Sequence, residues 1–186
     1  MTASVLRAIE EKGILQIEAE VVYRNPVTAK RTKQQSFCYT EAQQAAIHTF
    51  CEEYRRGKRG TYLVYGVTGS GKTEVYMEMI EHVIAEGKQA IVLIPEIALT
   101  YQTVMRFYQR FGDRVSIINS RQSKGERYDQ MLRAKRGEIN VMIGTRPALF
   151  TPFERLGLII IDEEHDGTSK REQTPRYHAS ETAIAR

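Results

Sequence analysis

The chain has 186 residues, which suits one ordinary domain with a hydrophobic core and is too few for two full-sized domains. Hydrophobic residues make up 41% of the sequence and charged residues 27%, so the composition excludes collagen-like, low-complexity and wholly disordered chains. The net charge of +4 is compatible with a polyanionic partner but is too small to require one.

Cysteine spacing and hydropathy indicate the compartment. The two cysteines, Cys38 and Cys51, are spaced neither as a zinc-ligand pair nor as a disulfide framework, which favours a reducing compartment. The longest apolar run, Leu156 to Ile161, is far shorter than the ~20 residues that a membrane helix needs, and no signal peptide begins the chain. We therefore expect a cytoplasmic protein that makes no contact with a membrane.

The first 38 residues predict a small unit followed by a linker. Residues 4–12 have the pattern of a short amphipathic helix that begins at Ser4 and ends at Gly13, and Ile14 to Arg24 alternates like a strand. This unit, residues 1–24, is too small for a core of its own. Residues 25–38 are basic and contain no acidic side chain, which predicts a linker or loop.

From residue 39 onward, short apolar runs alternate with helical patterns. This alternation is typical of a parallel sheet with helices on both faces, and it predicts an α/β fold. The expected strands are Tyr62–Tyr65, Ala90–Ile94, Val115–Ile118, Asn140–Ile143 and Leu158–Ile161. The expected helices are 73–86, 99–111 and 124–136.

Residues 66–73 match the pattern G-x-x-x-x-G-K-[ST], which binds the phosphates of a nucleotide. Its glycines let consecutive backbone N–H groups curl around phosphate oxygens at the positive end of the following helix. Lys72 supplies a charge to the β- and γ-phosphates, and the Thr73 hydroxyl supplies a ligand for Mg²⁺. The alternative is an incidental Gly-Ser loop, but the pattern lies between an expected strand and an expected helix. The predicted nucleotide-binding residues are Gly66, Val67, Thr68, Gly69, Ser70, Gly71, Lys72 and Thr73.

Four polar residues follow the apolar run that ends at Ile161: Asp162, Glu163, Glu164 and His165. Open α/β sheets bind ligands at the carboxyl ends of their strands, so this position favours Asp162 as a second Mg²⁺ ligand. Glu163 would orient and deprotonate the attacking water, which makes Glu163 and Lys72 the expected catalytic pair. Two interpretations of His165 stay open, a residue that couples the nucleotide to another site and an ordinary surface histidine.

Several classes of protein combine a phosphate loop with a metal-binding aspartate. The chain contains no Asn-Lys-x-Asp motif for guanine and no Leu-Ser-Gly-Gly-Gln motif, which argues against GTPases and transporter ATPases. It does contain Asp-Glu-Glu-His, a variant of the Asp-Glu-x-His box of superfamily 2 helicases.

Five segments resemble the first motor lobe of the bacterial primosomal replication-restart helicases, which belong to superfamily 2. They are GVTGSGKTEVY (66–76), PEIALTYQT (95–103), GTRPALFTPF (144–153), IIIDEEHD (159–166) and PRYHA (175–179). The resemblance implies a RecA-like P-loop lobe over residues 39–186. It also implies the end of a winged-helix domain over residues 1–24, joined to the lobe by the linker at 25–38.

The resemblance further implies which residues bind ligands. Such a lobe binds ATP with Mg²⁺, and Gln43 in the segment Tyr39 to Gln43 would contact the adenine base. A translocating motor grips any sequence through the phosphate backbone, so single-stranded or forked DNA would lie against the lobe. Without the resemblance, Thr145 and Arg146 also fit a surface turn before Pro147. The implied DNA-binding residues are Pro95, Glu96, Thr100, Gly144, Thr145 and Arg146.

The activity implied by the resemblance is that of an ATP-dependent DNA helicase that moves 3′ to 5′ in replication restart. The implied partners are a second motor lobe and a zinc module of the same protein, primosome proteins and single-strand-binding proteins. The motifs of the second lobe would lie beyond Arg186, so we expect a fragment that alone binds nucleotide weakly and hydrolyses it negligibly. Ser169, Ser180 and Glu181 differ from the residues usual in these relatives, so the resemblance does not extend to the loop that senses single-stranded DNA in related helicases.

Two other functions stay open. A nucleoside or small-molecule kinase would need an acceptor pocket and a lid within the same residues, and no arginine-rich lid is evident in the sequence. A non-catalytic nucleic-acid-binding module would carry the phosphate loop as a vestige, and its affinity for DNA would not depend on ATP.

Overall fold

The computed structural model of the chain describes residues 38–162 and 179–185. The predicted helix and strand in residues 1–24, and all but the last residue of the linker at 25–38, lie outside the described residues. Residues 163–178 lie outside them as well. The proposed boundaries of the winged-helix remnant, linker and lobe therefore stay predictions.

Four parallel strands form one sheet in the order β2-β3-β1-β4. The strands are β1 (Gln89–Leu93), β2 (Val115–Ile118), β3 (Val141–Gly144) and β4 (Leu156–Ile161). The α-helices are α1 (Glu41–Arg55), α2 (Lys72–Ala85), α3 (Tyr101–Phe111), α4 (Lys124–Lys135) and α5 (Ala179–Ala185). Two 3₁₀ helices, η1 (Gly112–Arg114) and η2 (Arg146–Phe150), follow α3 and β3.

Alternate residues of the strands face opposite sides of the sheet, because the side-chain period of a strand is two. Ala90 and Val92 of β1 face a cluster that contains Phe107 of α3 and several side chains of α2. Ile91 and Leu93 face a second cluster, built with α4 and η2. Helices thus cover both faces, and the predicted α/β fold is confirmed, with the boundaries of the four confirmed strands and three expected helices within two residues of those predicted.

Helix α1 was not among the helices expected from the periodicity. A capping box begins it, since the Thr40 side chain accepts a hydrogen bond from the Gln43 N–H and the Gln43 side chain accepts one from the Thr40 N–H. Phe50 and Tyr54 pack this helix against α2 in a third apolar cluster. The pattern Thr-x-x-Gln is the signal that could have predicted where α1 begins.

The expected strand Tyr62–Tyr65 is wrong. This segment lies outside the four-stranded sheet, and the side chains of Leu63 and Tyr65 are 84% and 95% exposed. Tyr62 is held instead by α1, because its hydroxyl donates to Glu53 at 2.6 Å and its ring lies edge-on to Phe50. An apolar run indicates a capacity for strand pairing, but only a neighbouring strand with free backbone groups makes it a strand.

Helices α2 and α3 are joined by an ion-pair cluster centred on Arg110. Its guanidinium bonds to Glu78 and to Glu81, the latter at 2.7 Å, and Nη1 donates to the Tyr39 hydroxyl at 3.3 Å. The Arg110 side chain is only 10% exposed, whereas the two carboxylates are partly solvated. One largely buried cation therefore holds two helices and the segment before α1 together.

We expect Arg110→Gln to lower the free energy of unfolding by about 1–3 kcal/mol, because it removes charge-assisted hydrogen bonds from a partly buried site. Urea unfolding followed by circular dichroism measures this loss. The matched control is Arg106→Gln one turn earlier, where an arginine that is 51% exposed pairs with Glu74, and where we expect a loss of less than about 1 kcal/mol. Equal losses of unfolding free energy in the two variants would contradict the stabilising role assigned to Arg110.

No helix in the described ranges is long and apolar enough to cross a lipid bilayer.

Candidate nucleotide-binding and nucleic-acid-binding site

The phosphate loop curls tightly just before α2. Gly71 begins the helix with a φ of +79°, a left-handed conformation that favours glycine, and Gly69 has a φ of +81°. Close packing explains a third glycine, because a Cβ on Gly66 would lie 2.7 Å from the Ser70 hydroxyl oxygen. Within the loop the Ser70 N–H donates to the Val67 carbonyl at 3.1 Å, and the positive end of α2 begins where the loop ends, as binding of phosphate oxygens requires.

Lys72, the first residue of α2, folds back over this loop. Its ammonium donates to the carbonyl oxygens of Gly66 at 2.7 Å and Val67 at 3.0 Å. The positive charge thus lies at the concave side of the loop. A phosphate group in the loop would compete with these two neutral carbonyls for the ammonium and would bind it more strongly, because the acceptor is then charged.

Gln43 lies against the same loop although it comes 27 residues earlier than Ser70. Its Nε2 donates to the Ser70 carbonyl oxygen at 2.8 Å while its Oε1 caps α1. A Cβ on Gly71 would lie 2.5 Å from this Nε2, so the glycine also makes room for the glutamine. The amide keeps one further donor and one further acceptor, the pair that the edge of an adenine base requires.

The carboxyl ends of three neighbouring strands meet at one edge of the sheet. The backbone N–H of Asp162 donates to the Leu93 carbonyl at 2.9 Å, and that of Ile94 donates to the Gly144 carbonyl at 2.9 Å. Asp162 after β4, Pro95 after β1 and Thr145 after β3 consequently form a row. The predicted metal-binding carboxylate and the predicted DNA-contacting segments are thus adjacent.

Tyr76 connects the phosphate-loop helix to Asp162, and sequence reasoning assigned it no role. Its hydroxyl donates to Oδ2 of Asp162 at 3.0 Å. Burial and the neighbouring carboxylate raise the pKa of Tyr76 well above its ordinary value, so the phenol stays protonated and remains a donor. A tyrosine three residues after Thr73 on the same helix was the available signal.

The oxygens gathered at this point fit Mg²⁺ that arrives with a nucleotide. Asp162 bonds to Tyr76, which follows Thr73 by three residues on α2, so the segments that carry these two hard oxygen ligands meet here. Mg²⁺ commonly binds through one or two such groups, with the remaining positions taken by substrate phosphates and water. Within residues 38–162 and 179–185, no cluster of three histidine, cysteine or acidic side chains could hold a metal by itself.

The segment after β1 that was expected to contact DNA leads into α3. Thr100 is the N-cap of this helix, where its side-chain oxygen accepts from the Thr103 N–H at 3.3 Å. Ile97 and Tyr101 beside it are 81% and 75% exposed. The segment therefore presents a solvent-facing surface whose backbone is held by the capped helix.

The segment after β3 contains the remaining residues expected to contact DNA. Thr145 precedes η2, and its carbonyl accepts from the Ala148 N–H at 2.8 Å. Arg146 is half-buried, and its Nη1 is buried with no hydrogen-bond partner among the described residues. Gly144 is buried, and a Cβ there would collide with the Ile118 carbonyl oxygen of the neighbouring strand. Packing against β2 therefore explains why position 144 is a glycine.

Glu163, Glu164 and His165 lie outside the described residues, so their predicted roles stay predictions. Ser169 lies outside them too. Glu181 belongs to α5. The described part of the site therefore consists of the phosphate loop, Gln43, Tyr76 and Asp162 with the two segments that follow β1 and β3.

Comparison with known proteins places this arrangement in a family. The DEAD/DEAH box helicase family matches residues 40–184. The "Replication restart protein PriA" of Bacillus subtilis is 45% identical over 186 residues, which is 100% of this chain and 23% of that protein. The protein of the same name from Synechocystis is 39% identical over 188 residues, 100% of this chain and 22% of its own length.

A third relative of that name, from Haemophilus influenzae, is 49% identical over 123 residues, which cover 66% of this chain and 17% of the relative. The chain thus spans about a fifth of the length of these relatives. The family match covers the phosphate loop, the edge of the sheet and Asp162 together. This chain belongs to the DEAD/DEAH box helicase family.

Proposed function

We propose that this chain is the Mg-ATP-binding motor lobe of an ATP-dependent DNA helicase that acts in replication restart. The observation that carries the proposal is the convergence of two distant segments, because Tyr76 of the phosphate-loop helix bonds to Asp162 at the end of β4. A lobe that brings a phosphate loop and a carboxylate together in this way can bind both the phosphates of a nucleotide and the Mg²⁺ that accompanies them. The relatives named for replication restart support the assignment to that process.

Each site residue then has a chemical role. Lys72 would neutralise the β- and γ-phosphates, while Thr73 and Asp162 would hold Mg²⁺, Asp162 through its water shell. When bound, Mg²⁺ neutralises charge on the phosphate oxygens during phosphoryl transfer. Glu163 would orient the attacking water and accept its proton, and Gln43 would bind the adenine edge.

The DNA would lie along the row formed by the segments after β1 and β3. Support comes from their position beside Asp162 at one sheet edge and from the positive charge of the half-buried Arg146. Pro95, Glu96, Thr100, Gly144, Thr145 and Arg146 would contact the backbone of single-stranded or forked DNA. Backbone contacts suit a motor that moves, in the proposed 3′-to-5′ direction, along any sequence.

Hydrolysis requires positive charge on the side of the γ-phosphate that faces away from the loop. Helicase-type motors commonly receive that charge from an arginine of a facing domain. We therefore propose that a second motor lobe completes the site and that this chain alone turns over ATP very slowly. A zinc module, primosome proteins and single-strand-binding proteins are the further proposed partners. We also propose a cytoplasmic location, in line with two free cysteines of which one is buried.

The test is equilibrium binding of a fluorescent ATP analogue in the presence of Mg²⁺, with ATP and GTP as competitors. We expect ATP to compete better than GTP, and we expect Gln43→Ala to reduce this preference roughly tenfold, because a pair of hydrogen bonds to the base is lost. The matched control is Gln44→Ala, which removes the neighbouring exposed glutamine whose Nε2 donates to the Tyr39 carbonyl at 3.2 Å. The control should keep the preference for ATP.

Other outcomes favour the alternatives. Equal competition by GTP in the unaltered chain would contradict the role of Gln43 and leave the phosphate loop intact. Phosphate transfer to a nucleoside or other small acceptor would favour a kinase. Binding of single-stranded DNA that does not depend on ATP and persists in Lys72→Ala would favour a non-catalytic nucleic-acid module.

A further inference from the structure

We propose that the hydroxyl of Tyr76 is a positioning group that orients the Mg²⁺-binding carboxylate of Asp162. The inference rests on the proposed function, since it concerns the metal that accompanies the nucleotide. Its basis is the hydrogen bond between the Tyr76 hydroxyl and the Asp162 carboxylate. This bond joins the helix that follows the phosphate loop to the end of β4.

The direction of this bond follows from its partners. An ionised carboxylate can only accept, so Tyr76 donates its proton to Oδ2 of Asp162 over 3.0 Å. The carboxylate is therefore held by a neutral donor that belongs to the phosphate-loop helix.

This bond matters for metal binding. A carboxylate that rotates about its side-chain bonds loses that freedom when it holds a metal or a metal-bound water. By donating to Oδ2, Tyr76 would fix the rotation of the Asp162 carboxylate before Mg²⁺ binds.

The ring of Tyr76 is well suited to hold its hydroxyl in one place. The residue is only 6% exposed, and its ring stacks on Phe107 of α3 with centroids 6.2 Å apart. The position of the hydroxyl is therefore set by core packing and not by solvent. Rigid support of this kind raises the affinity of a metal site above what its ligands alone would give.

Tyr76→Phe tests the inference because it removes the hydroxyl and keeps the packed ring. The measurement is the Mg²⁺ concentration that gives half-maximal enhancement of binding of a fluorescent ATP analogue, compared with binding of the analogue in excess EDTA. We expect the Mg²⁺ midpoint to rise roughly tenfold, since a hydrogen bond to a charged group is lost. Binding in EDTA should stay within about twofold, because Lys72 and the loop backbone are unaltered.

Tyr54→Phe is the matched control. This tyrosine is also buried, and its hydroxyl has no hydrogen-bond partner among the described residues, so its removal should leave both measurements unchanged. The inference is overturned if the Mg²⁺ midpoint of Tyr76→Phe matches that of the unaltered chain. It is also overturned if binding with Mg²⁺ and binding in EDTA fall together, because that result indicates a general loss of structure.

The outcomes also separate this inference from the proposed function. An unaltered chain that binds the analogue with a clear dependence on Mg²⁺ supports the proposed function whatever Tyr76→Phe does. An unaltered chain whose binding ignores Mg²⁺, or that does not bind the analogue, contradicts the proposed function and the role of Tyr76 with it.

Discussion

Replacing Lys72 with alanine is expected to weaken binding of Mg-ATP by about 10- to 100-fold. The ammonium lies over the phosphate loop, where it donates to the carbonyls of Gly66 and Val67 in the absence of an anion. With phosphate in the loop, these neutral contacts are exchanged for charge-assisted ones, each worth about 1.5–3 kcal/mol. Titration of the fluorescent ATP analogue, with isothermal calorimetry as a second measurement, gives the change in dissociation constant.

Lys124→Ala is the matched control for the loss of a positive charge. Lys124 is an exposed lysine that, like Lys72, is the first residue of a helix, but its helix begins after β2 and not at the phosphate loop. We expect this variant to bind Mg-ATP with unchanged affinity. Retention of full affinity by Lys72→Ala would show that the nucleotide does not use the loop, and the proposed site would be wrong.

Replacing Gly144 with alanine is expected to lower the free energy of unfolding by about 3 kcal/mol or to prevent folding. The added methyl group would collide with the Ile118 carbonyl oxygen on β2 and would lie 3.0 Å from the Cβ of Ala148. Overpacking of a core typically costs 1–3 kcal/mol, and here the obstacle is backbone that cannot turn aside. Urea unfolding followed by circular dichroism measures the loss.

Gly60→Ala is the corresponding control, because a Cβ at Gly60 meets no atom within 4 Å and the backbone there does not require glycine. It should change the free energy of unfolding by less than about 0.5 kcal/mol. An unaltered unfolding midpoint for Gly144→Ala would contradict the packing explanation. In that case contact with DNA would become the better reason for a glycine at the end of β3.

Much of the fold could be predicted from the sequence because its signals are local. Four of the five expected strands and the three expected helices are present, since a strand covered on both faces requires a continuous apolar run and a helix buried on one face requires apolar residues at helical spacing. Two elements differ from the prediction. Tyr62–Tyr65 has the apolar character of a strand but does not belong to the sheet, and helix α1 is present although only its capping box indicated where it begins.

The candidate site likewise has a part that the sequence predicts and a part that only the structure shows. The phosphate loop was predictable because its function needs glycine at particular backbone positions, and the structure has left-handed φ angles at Gly69 and Gly71. The contact of Gln43 with the Ser70 carbonyl spans 27 residues and depends on how α1 lies against α2. The resemblance pointed to Gln43 as a base contact, but the hydrogen bond to the loop required the structure.

Most of the helices and strands, the phosphate loop and the carboxylate at a strand end follow from the sequence alone, because each depends on residues close together in the chain. The strand order β2-β3-β1-β4, which places Asp162 beside the segments after β1 and β3, depends instead on tertiary packing. Tertiary packing also decided that Tyr76 meets Asp162 across 86 residues and that Gly144 must be a glycine. Contacts of this range depend on which surfaces pack together, and no local pattern encodes that choice.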